Sequence, residues 1–122
     1  MSRTIFIATD HLLEKQYMEP DFRLWPEKSD LEFYRNYTEL PYIYYYEGQF
    51  GKVTGERLFE IVKQQGKMAA CTEIWSVWDP PENDCGELER IECHPNSFSL
   101  KAFKAAFGGR YYTHPVMVSV HR

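Results

Sequence analysis

The chain has 122 residues, a net charge of −4 at neutral pH and a hydrophobic fraction of 43%. That length corresponds to one domain, residues 1–122, which can bury a core without needing a disulfide or a metal. The acidic balance argues against a broad basic surface for nucleic acid. Aromatic residues make up 16% of the chain, and this composition is typical of a folded protein rather than a disordered one.

The cysteines and the first residues bear on the compartment. The first apolar run is short and ends at Asp10, so it does not resemble a signal peptide. No apolar run approaches the roughly 20 residues of a membrane span. Cys71, Cys85 and Cys93 include no close-spaced pair, which favours reduced thiols over a disulfide framework. We expect a cytoplasmic protein without membrane association.

Three elements are predicted in the N-terminal third. Residues 3–9 read as a short strand with β-branched residues. Residues 10–28, here called the N-terminal arm, combine two prolines with several large apolar side chains, which indicates ordered packing. A capping-box pattern at Ser29 predicts a short helix over 30–38. We expect residues 1–40 to form an extension that adds to a sheet edge or covers the open face of the sheet.

From residue 42 the pattern predicts four strands and two helices in the order β-α-β-β-α-β. That is the order of the ferredoxin-like, split βαβ arrangement, an α+β fold with two helices on one face of a four-stranded antiparallel sheet. The second and third strands are expected to form a hairpin, and residues 41–122 to form the core. The predicted elements are strand 42–46, helix 55–65, strand 68–78, strand 88–94, helix 97–107 and strand 116–121.

Polar and glycine residues mark the predicted helix ends. Thr54 is expected to cap the first helix of the core, and Gly66 to end it in a left-handed conformation. Asn96 or Ser97 is expected to cap the second helix, and Gly108-Gly109 to end it.

A row of tyrosines lies on the first strand of the core. Tyr42, Tyr44 and Tyr46 share one face of the strand, because side chains alternate between faces. Each buried hydroxyl needs a hydrogen-bond partner, so we predict that this row faces the open side of the sheet. Ile43 and Tyr45 would then face the helices. The sequence leaves open whether the arm, another molecule or nothing covers the row.

Motifs of catalysis and of metal binding are missing from the sequence. The cysteines and histidines show no zinc-type pairs, and there is no Walker loop, dinucleotide fingerprint or nucleophile elbow. We therefore predict no metal and no cofactor, and we favour a non-enzymatic role without excluding an enzyme. Cys93 beside His114 or His121 is one conceivable nucleophile pair. Glu73 opposite Glu89 or Glu92 in the hairpin would be a carboxylate pair.

The strongest charge signal is the acidic segment, residues 73–92. It holds seven acidic residues and one arginine, while residues 93–122 hold no acidic residue. Concentrated negative charge steers association with a basic partner. We predict a small acidic binding protein, of the inhibitor, immunity, antitoxin or regulatory type, that engages a basic protein partner. The residues expected to contact the partner are Glu82, Asp84, Glu87, Glu89 and Trp78.

Two other functions are compatible with the sequence. One is a small-molecule-binding protein or small enzyme that uses an aromatic pocket on the open sheet face. The other is a homodimer in which the valine-rich strand 116–121 pairs across a sheet edge. The residues expected to line the aromatic pocket are Tyr42, Tyr44, Tyr46, Trp75 and His94.

Overall fold

A computed structural model describes residues 2–28, 31–47, 52–79, 87–110 and 114–122. Within these ranges the chain is a mixed α+β protein built on a six-stranded sheet. Its strands are β1 Ser2–Thr9, β2 Leu24–Pro26, β3 Tyr42–Tyr46, β4 Cys71–Asp79, β5 Glu89–Cys93 and β6 Val116–His121. Its α-helices are α1 Leu31–Arg35, α2 Lys52–Met68 and α3 Leu100–Arg110, and short 3-10 helices occur at Lys15–Met18, Pro20–Phe22 and Pro95–Ser97.

The strand order across the sheet is β2-β3-β1-β4-β6-β5. All neighbouring strands are antiparallel except β5 and β6, which are parallel. Because β1 is antiparallel to both β3 and β4, those two strands run in the same direction with β1 between them. The α+β class is confirmed. The predicted ferredoxin-like strand order is wrong, because that order has no place for β1 inside the sheet.

The N-terminal strand lies in the interior of the sheet and not at an edge. β1 pairs with β3 from Ile5 to Thr9 and with β4 along its whole length. The side chains of residues 5–8 are no more than 2% exposed. A strand that is apolar on both faces belongs between layers that cover both faces. The unbroken apolar run at 5–8 is the sequence signal for this interior position.

The predicted hairpin of β4 and β5 does not form, because β6 lies between these two strands. Residues 116–120 are at most 4% exposed, whereas Arg90 and Glu92 in β5 are exposed. The apolar strand therefore takes the interior position and the charged strand takes the edge. For the same reason, strand 116–121 is not available for pairing across an edge.

Layers of different kinds cover the two faces of the sheet. We call the face packed against α2 and α3 the helix face, and the face packed against α1 and its following residues the α1 face. The helix face includes the buried residues Ile5, Ile7, Leu24, Tyr44, Ile74, Val116, Val118 and Val120. The α1 face includes the buried residues Phe6, Ala8, Ile43, Trp75, Val77 and Met117.

The tyrosine row has the opposite orientation to the one predicted. Tyr44 is 5% exposed and Tyr46 is half-buried, and both pack in the core of the helix face. Ile43 and Tyr45 pack on the α1 face. The Tyr44 hydroxyl accepts a hydrogen bond of 3.2 Å from the backbone N–H of Leu13 in the N-terminal arm. The N-terminal arm thus supplies a hydrogen-bond partner for the buried Tyr44 hydroxyl. The sequence did not reveal this partner, and for that reason we predicted that the tyrosine row faces the open side of the sheet.

Helix α2 is longer than predicted at both ends. It begins at Lys52, so Thr54 lies inside the first turn instead of capping it. It continues past Gly66 to Met68. A Cβ atom at position 66 would lie 2.8 Å from Cγ1 of Val120. Gly66 therefore allows the helix to approach β6 closely, and it does not end the helix.

Helix α3 also differs from the prediction at both ends. The Ser99 hydroxyl accepts a hydrogen bond of 3.2 Å from the N–H of Ala102 and so caps the helix. Asn96 and Ser97 belong to the preceding 3-10 turn. The helix runs through Gly108-Gly109 and ends one residue later.

Candidate functional site

The structure describes three of the five residues predicted to contact a partner. Glu82 and Asp84 lie outside the described residues. Glu87 is exposed just before β5, Glu89 is half-buried at the start of β5, and Trp78 is half-buried near the end of β4. Because β6 separates β4 from β5, Trp78 and the two glutamates are not cross-strand neighbours as they would be in a hairpin.

Three carboxylates lie within electrostatic range of Cys71. Burial raises the pKa of the Cys71 thiol, a hydrogen bond with the Ser119 hydroxyl opposes this, and the charges of Glu73, Asp10 and Glu92 raise it further. We call Asp10, Glu73 and Glu92 the acidic patch. Within the described ranges none of the three carboxylates forms an ion pair.

The Glu73 carboxylate is held in place by two hydrogen bonds. Its Oε1 atom accepts one of 2.7 Å from the Thr38 hydroxyl and one of 2.9 Å from the Trp75 indole N–H. Trp75 is 1% exposed and belongs to the aromatic core of the α1 face. A rigid indole and a buried threonine therefore fix this charge at the edge of that core. Fixing a charge in advance lowers the ordering cost when a partner binds.

Glu73 has no carboxylate directly opposite it on the neighbouring strand. Its cross-strand neighbour on β6 is Ser119, and Ser119 in turn lies opposite Glu92 on β5. Glu89 lies opposite Val116, farther along β6. Glu73 and Glu92 are thus separated by a strand, and the predicted carboxylate pair of a hairpin is wrong.

The Cys93 thiol and the His121 side chain do not form the nucleophile pair considered from the sequence. Cys93 lies opposite Val120 in the parallel ladder, so His121 projects from the other face of the sheet. The Cys93 thiol donates a hydrogen bond of 3.7 Å to the backbone carbonyl of Ser119. Burial raises the pKa of the Cys93 thiol, as it does for Cys71. Both thiols are therefore protonated at neutral pH, and a protonated thiol is a weak nucleophile.

The residues predicted to line an aromatic pocket do not share one. Tyr44 packs on the helix face and Trp75 on the α1 face, so the sheet separates them. Tyr46 lies with Tyr44, while Tyr42 is 38% exposed at the end of the row. The exposed His94 accepts a hydrogen bond of 3.1 Å through Nδ1 from the next 3-10 turn, which is a capping role.

A groove that was not predicted runs between the N-terminal arm and α2. It has a volume of about 390 Å³. The Tyr17 and Phe22 rings meet edge to face with centroids 5.6 Å apart, and the Arg57 guanidinium lies 5.9 Å from the Phe22 centroid. We call this the arm groove. It is lined by Tyr17, Phe22, Glu56, Arg57, Glu60 and Ile61.

In the described part of the chain, no group of three or more His, Cys, Asp and Glu side chains has an arrangement that would hold a metal ion. Across the same ranges, no helix has both the length and the apolar character needed to cross a bilayer. Comparisons of the chain with protein-family models, with curated proteins and with solved structures found no match.

Proposed function

We propose that the protein binds a basic protein partner through its acidic segment and the adjoining acidic patch, and that it acts as an inhibitor or regulatory protein. The observation that carries this proposal is the unneutralised charge. Residues 73–92 hold seven acidic residues against one arginine, and the acidic patch forms no ion pair within the described residues. Negative charge of this density accelerates encounter with a positively charged surface.

The position of the charges supports binding over catalysis. Glu87 and Glu92 are exposed, while Glu73 is fixed by its hydrogen bonds to Thr38 and Trp75. Exposed carboxylates steer the encounter, and a fixed one gives the complex a defined register. Free Cys71 and Cys93 are consistent with action in the reducing cytoplasm.

Charge reversal tests this proposal. The variant E82K/D84K/E87K removes charge from the acidic segment without changing any residue of β5. The matched control E14K/E19K/E32K makes the same change in net charge in the arm and on α1, at residues that are exposed. We expect wild type and control to retain the same basic protein from a native lysate, and the first variant to lose it.

The purified partner then gives the decisive measurement. Its association rate with wild type should fall steeply as salt is raised, because screening weakens charge steering. The rate with E82K/D84K/E87K should be low and nearly independent of salt. Equal binding by all three proteins, or equal loss in the variant and its control, would contradict the proposal.

The arm groove favours a second candidate function, the binding of a small ligand. Its volume of about 390 Å³ lies within the usual range for ligand sites. The rings of Tyr17 and Phe22 would stack on an aromatic ligand, and Arg57 and Glu60 in the lining would supply its polar contacts. We expect small aromatic compounds to raise the melting temperature of wild type and not of Phe22→Ala. A screen of such compounds without any stabilisation would reject this candidate.

A further inference from the structure

The two edges of the sheet are very different. β2 is three residues long, ends at Pro26 and is contacted by the 3-10 helix Lys15–Met18. A short strand with a proline is a common protection against pairing with another chain. β5 is a regular strand without proline, and among the described residues it pairs only with β6. Its other side is therefore the edge at which another strand can add.

The backbone hydrogen bonds between β5 and β6 show which residues of β5 direct their N–H and C=O groups toward the free edge. The backbone N–H of Glu89 donates a bond of 2.9 Å to the carbonyl of Pro115, the residue before β6. In a β-strand, alternate residues direct their N–H and C=O groups to the same side. Glu89, Ile91 and Cys93 therefore bond toward β6. Arg90 and Glu92 direct their backbone groups toward the free edge.

The charges on β5 are complementary to a second copy of β5. In an antiparallel pair with its two-fold axis at Ile91, Arg90 of each copy lies directly opposite Glu92 of the other. Both residues have outward backbone groups, so each Arg90–Glu92 pair also exchanges two backbone hydrogen bonds. Shifting the pairing by two residues in either direction keeps the same backbone groups facing the partner strand. These shifts place Arg90 opposite Arg90, or Glu92 opposite Glu92. Directly opposed like charges destabilise a strand pair, and opposite charges stabilise it.

An apolar notch lies beside the same edge on the helix face. Ile91 and Cys93 are half-buried there, next to a cavity of about 40 Å³ that is also lined by Phe98 and Phe103. In the register centred on Ile91 the two isoleucine side chains meet at the two-fold axis, over this notch. Pairing would thus remove apolar surface from water in addition to joining the backbones.

We propose that two copies of this chain associate through antiparallel pairing of their β5 edges, which joins the two six-stranded sheets into one continuous sheet. The occupant is a second copy because the charge pattern of β5 is complementary to itself in a single register. An isologous contact of this kind closes at the dimer. The edge is short, so the interface is small and the dimer forms in a concentration-dependent manner. In the dimer Glu92 pairs with Arg90 of the second copy, so the proposed basic partner would meet Glu92 only in the monomer.

Charge swapping tests the register directly. By sedimentation velocity over a range of concentrations, wild type should shift from monomer to dimer. R90E and E92R each create like-charge pairs and should remain monomeric. R90E/E92R restores opposite charges and should dimerise as wild type does. An equimolar mixture of R90E and E92R should form a heterodimer, since each strand then carries a single sign of charge.

Two controls separate a lost interface from a lost fold. Lys101→Glu makes the same charge change as R90E at an exposed position on α3 and should leave the dimer intact. All variants should unfold at the same urea midpoint when measured at a concentration where wild type is monomeric, because Arg90 and Glu92 are exposed. A wild type that stays monomeric, an R90E variant that dimerises, or a double variant that does not would each overturn the proposal.

Discussion

Tyr44 shows how a single hydroxyl decides the orientation of a strand. Its ring packs among core residues of the helix face, and its oxygen accepts the N–H of Leu13. Burial raises the pKa of the Tyr44 hydroxyl, and the hydrogen bond from Leu13 opposes that shift. The side chain can therefore be buried only because the N-terminal arm passes close to it. Tyr42, two residues earlier on the same strand, is exposed.

Replacing Tyr44 by phenylalanine should destabilise the protein by about 1–3 kcal/mol, because the buried N–H of Leu13 then lacks an acceptor. The measurement is the free energy of unfolding in urea. Tyr42→Phe is the matched control and should change stability by less than about 0.5 kcal/mol, since position 42 is exposed. Equal effects at the two positions would show that the hydrogen bond contributes nothing.

At the scale of elements, α2 lies against β6 at a distance that Gly66 permits. Alanine has the higher helix propensity, by about 1 kcal/mol in a helix interior. The added Cβ would nevertheless lie 2.8 Å from Cγ1 of Val120, a β-branched side chain with little freedom to move. The helix can accept alanine only if it moves away from the sheet.

We expect Gly66→Ala to lower the free energy of unfolding by about 1–3 kcal/mol, as overpacked sites do. Val120→Ala alone should also destabilise, because it leaves a cavity. In the double variant the new methyl group occupies space that the valine left, so the combined loss should be clearly smaller than the sum. Urea unfolding of all four proteins measures this coupling. Additive losses would mean that the two side chains do not compete for space.

The elements also show what could be read from the sequence. Strands at 42–46, 71–79 and 116–121 were predictable because β-branched and aromatic residues follow one another there. The partner of each strand was not predictable, since the order depends on which strand is buried on both faces. Residues 5–8 carried that information as an apolar run without alternation. The run was short, and its position near the start of the chain suggested an addition to the sheet.

The candidate surfaces were predictable only in part. The charge of the acidic segment could be read directly from its composition, and Glu73 and Glu92 are the two ends of that segment. Asp10 joins them in the acidic patch only because β1 pairs with β4, a contact that no local pattern reveals. The arm groove likewise depends on where Tyr17 and Phe22 settle against α2. The sequence positions of Tyr17 and Phe22 do not distinguish these two residues from aromatic residues that only pack in a core.

At the scale of the whole molecule, the fold depends on its first strand. Removing residues 1–40 would leave β3 and β4 separated, with the interior side of each exposed. We expect the fragment 41–122 to lack a cooperative unfolding transition, and the addition of a peptide covering residues 1–40 to restore one. Circular dichroism during a urea titration measures both. A fragment that unfolds cooperatively by itself would show that residues 41–122 form an autonomous core.

The stability of the folded protein should also decrease at alkaline pH. Burial raises the pKa of the Cys71 and Cys93 thiols above the ordinary value of 9.0, and that of Tyr44 above 10.0. The folded state thus holds these protons more tightly than the unfolded state does. This contribution to stability is complete below the ordinary pKa values and is lost as the pH rises through the folded-state values.

We therefore expect the urea midpoint to fall as the pH passes above 9.0, the ordinary pKa of the two thiols. The double variant C71A/C93A should lose less of its stability over the same rise, because the two thiols whose pKa values are raised by burial are absent. Reaction of the C85A variant, which keeps only Cys71 and Cys93, with a thiol reagent should likewise accelerate at a higher pH than for a free cysteine. A wild-type midpoint that rises in alkali would contradict the assigned direction of these pKa shifts.

The interior position of β1 also has a consequence for synthesis. β1 is made before both of its partners, since β3 begins at Tyr42 and β4 begins at Cys71. At about 5–20 residues per second, the ribosome needs several seconds to deliver the second partner. During that interval an apolar strand is left with at least one open edge, a condition that favours aggregation. Newly made chains should therefore depend on chaperones more than finished ones do.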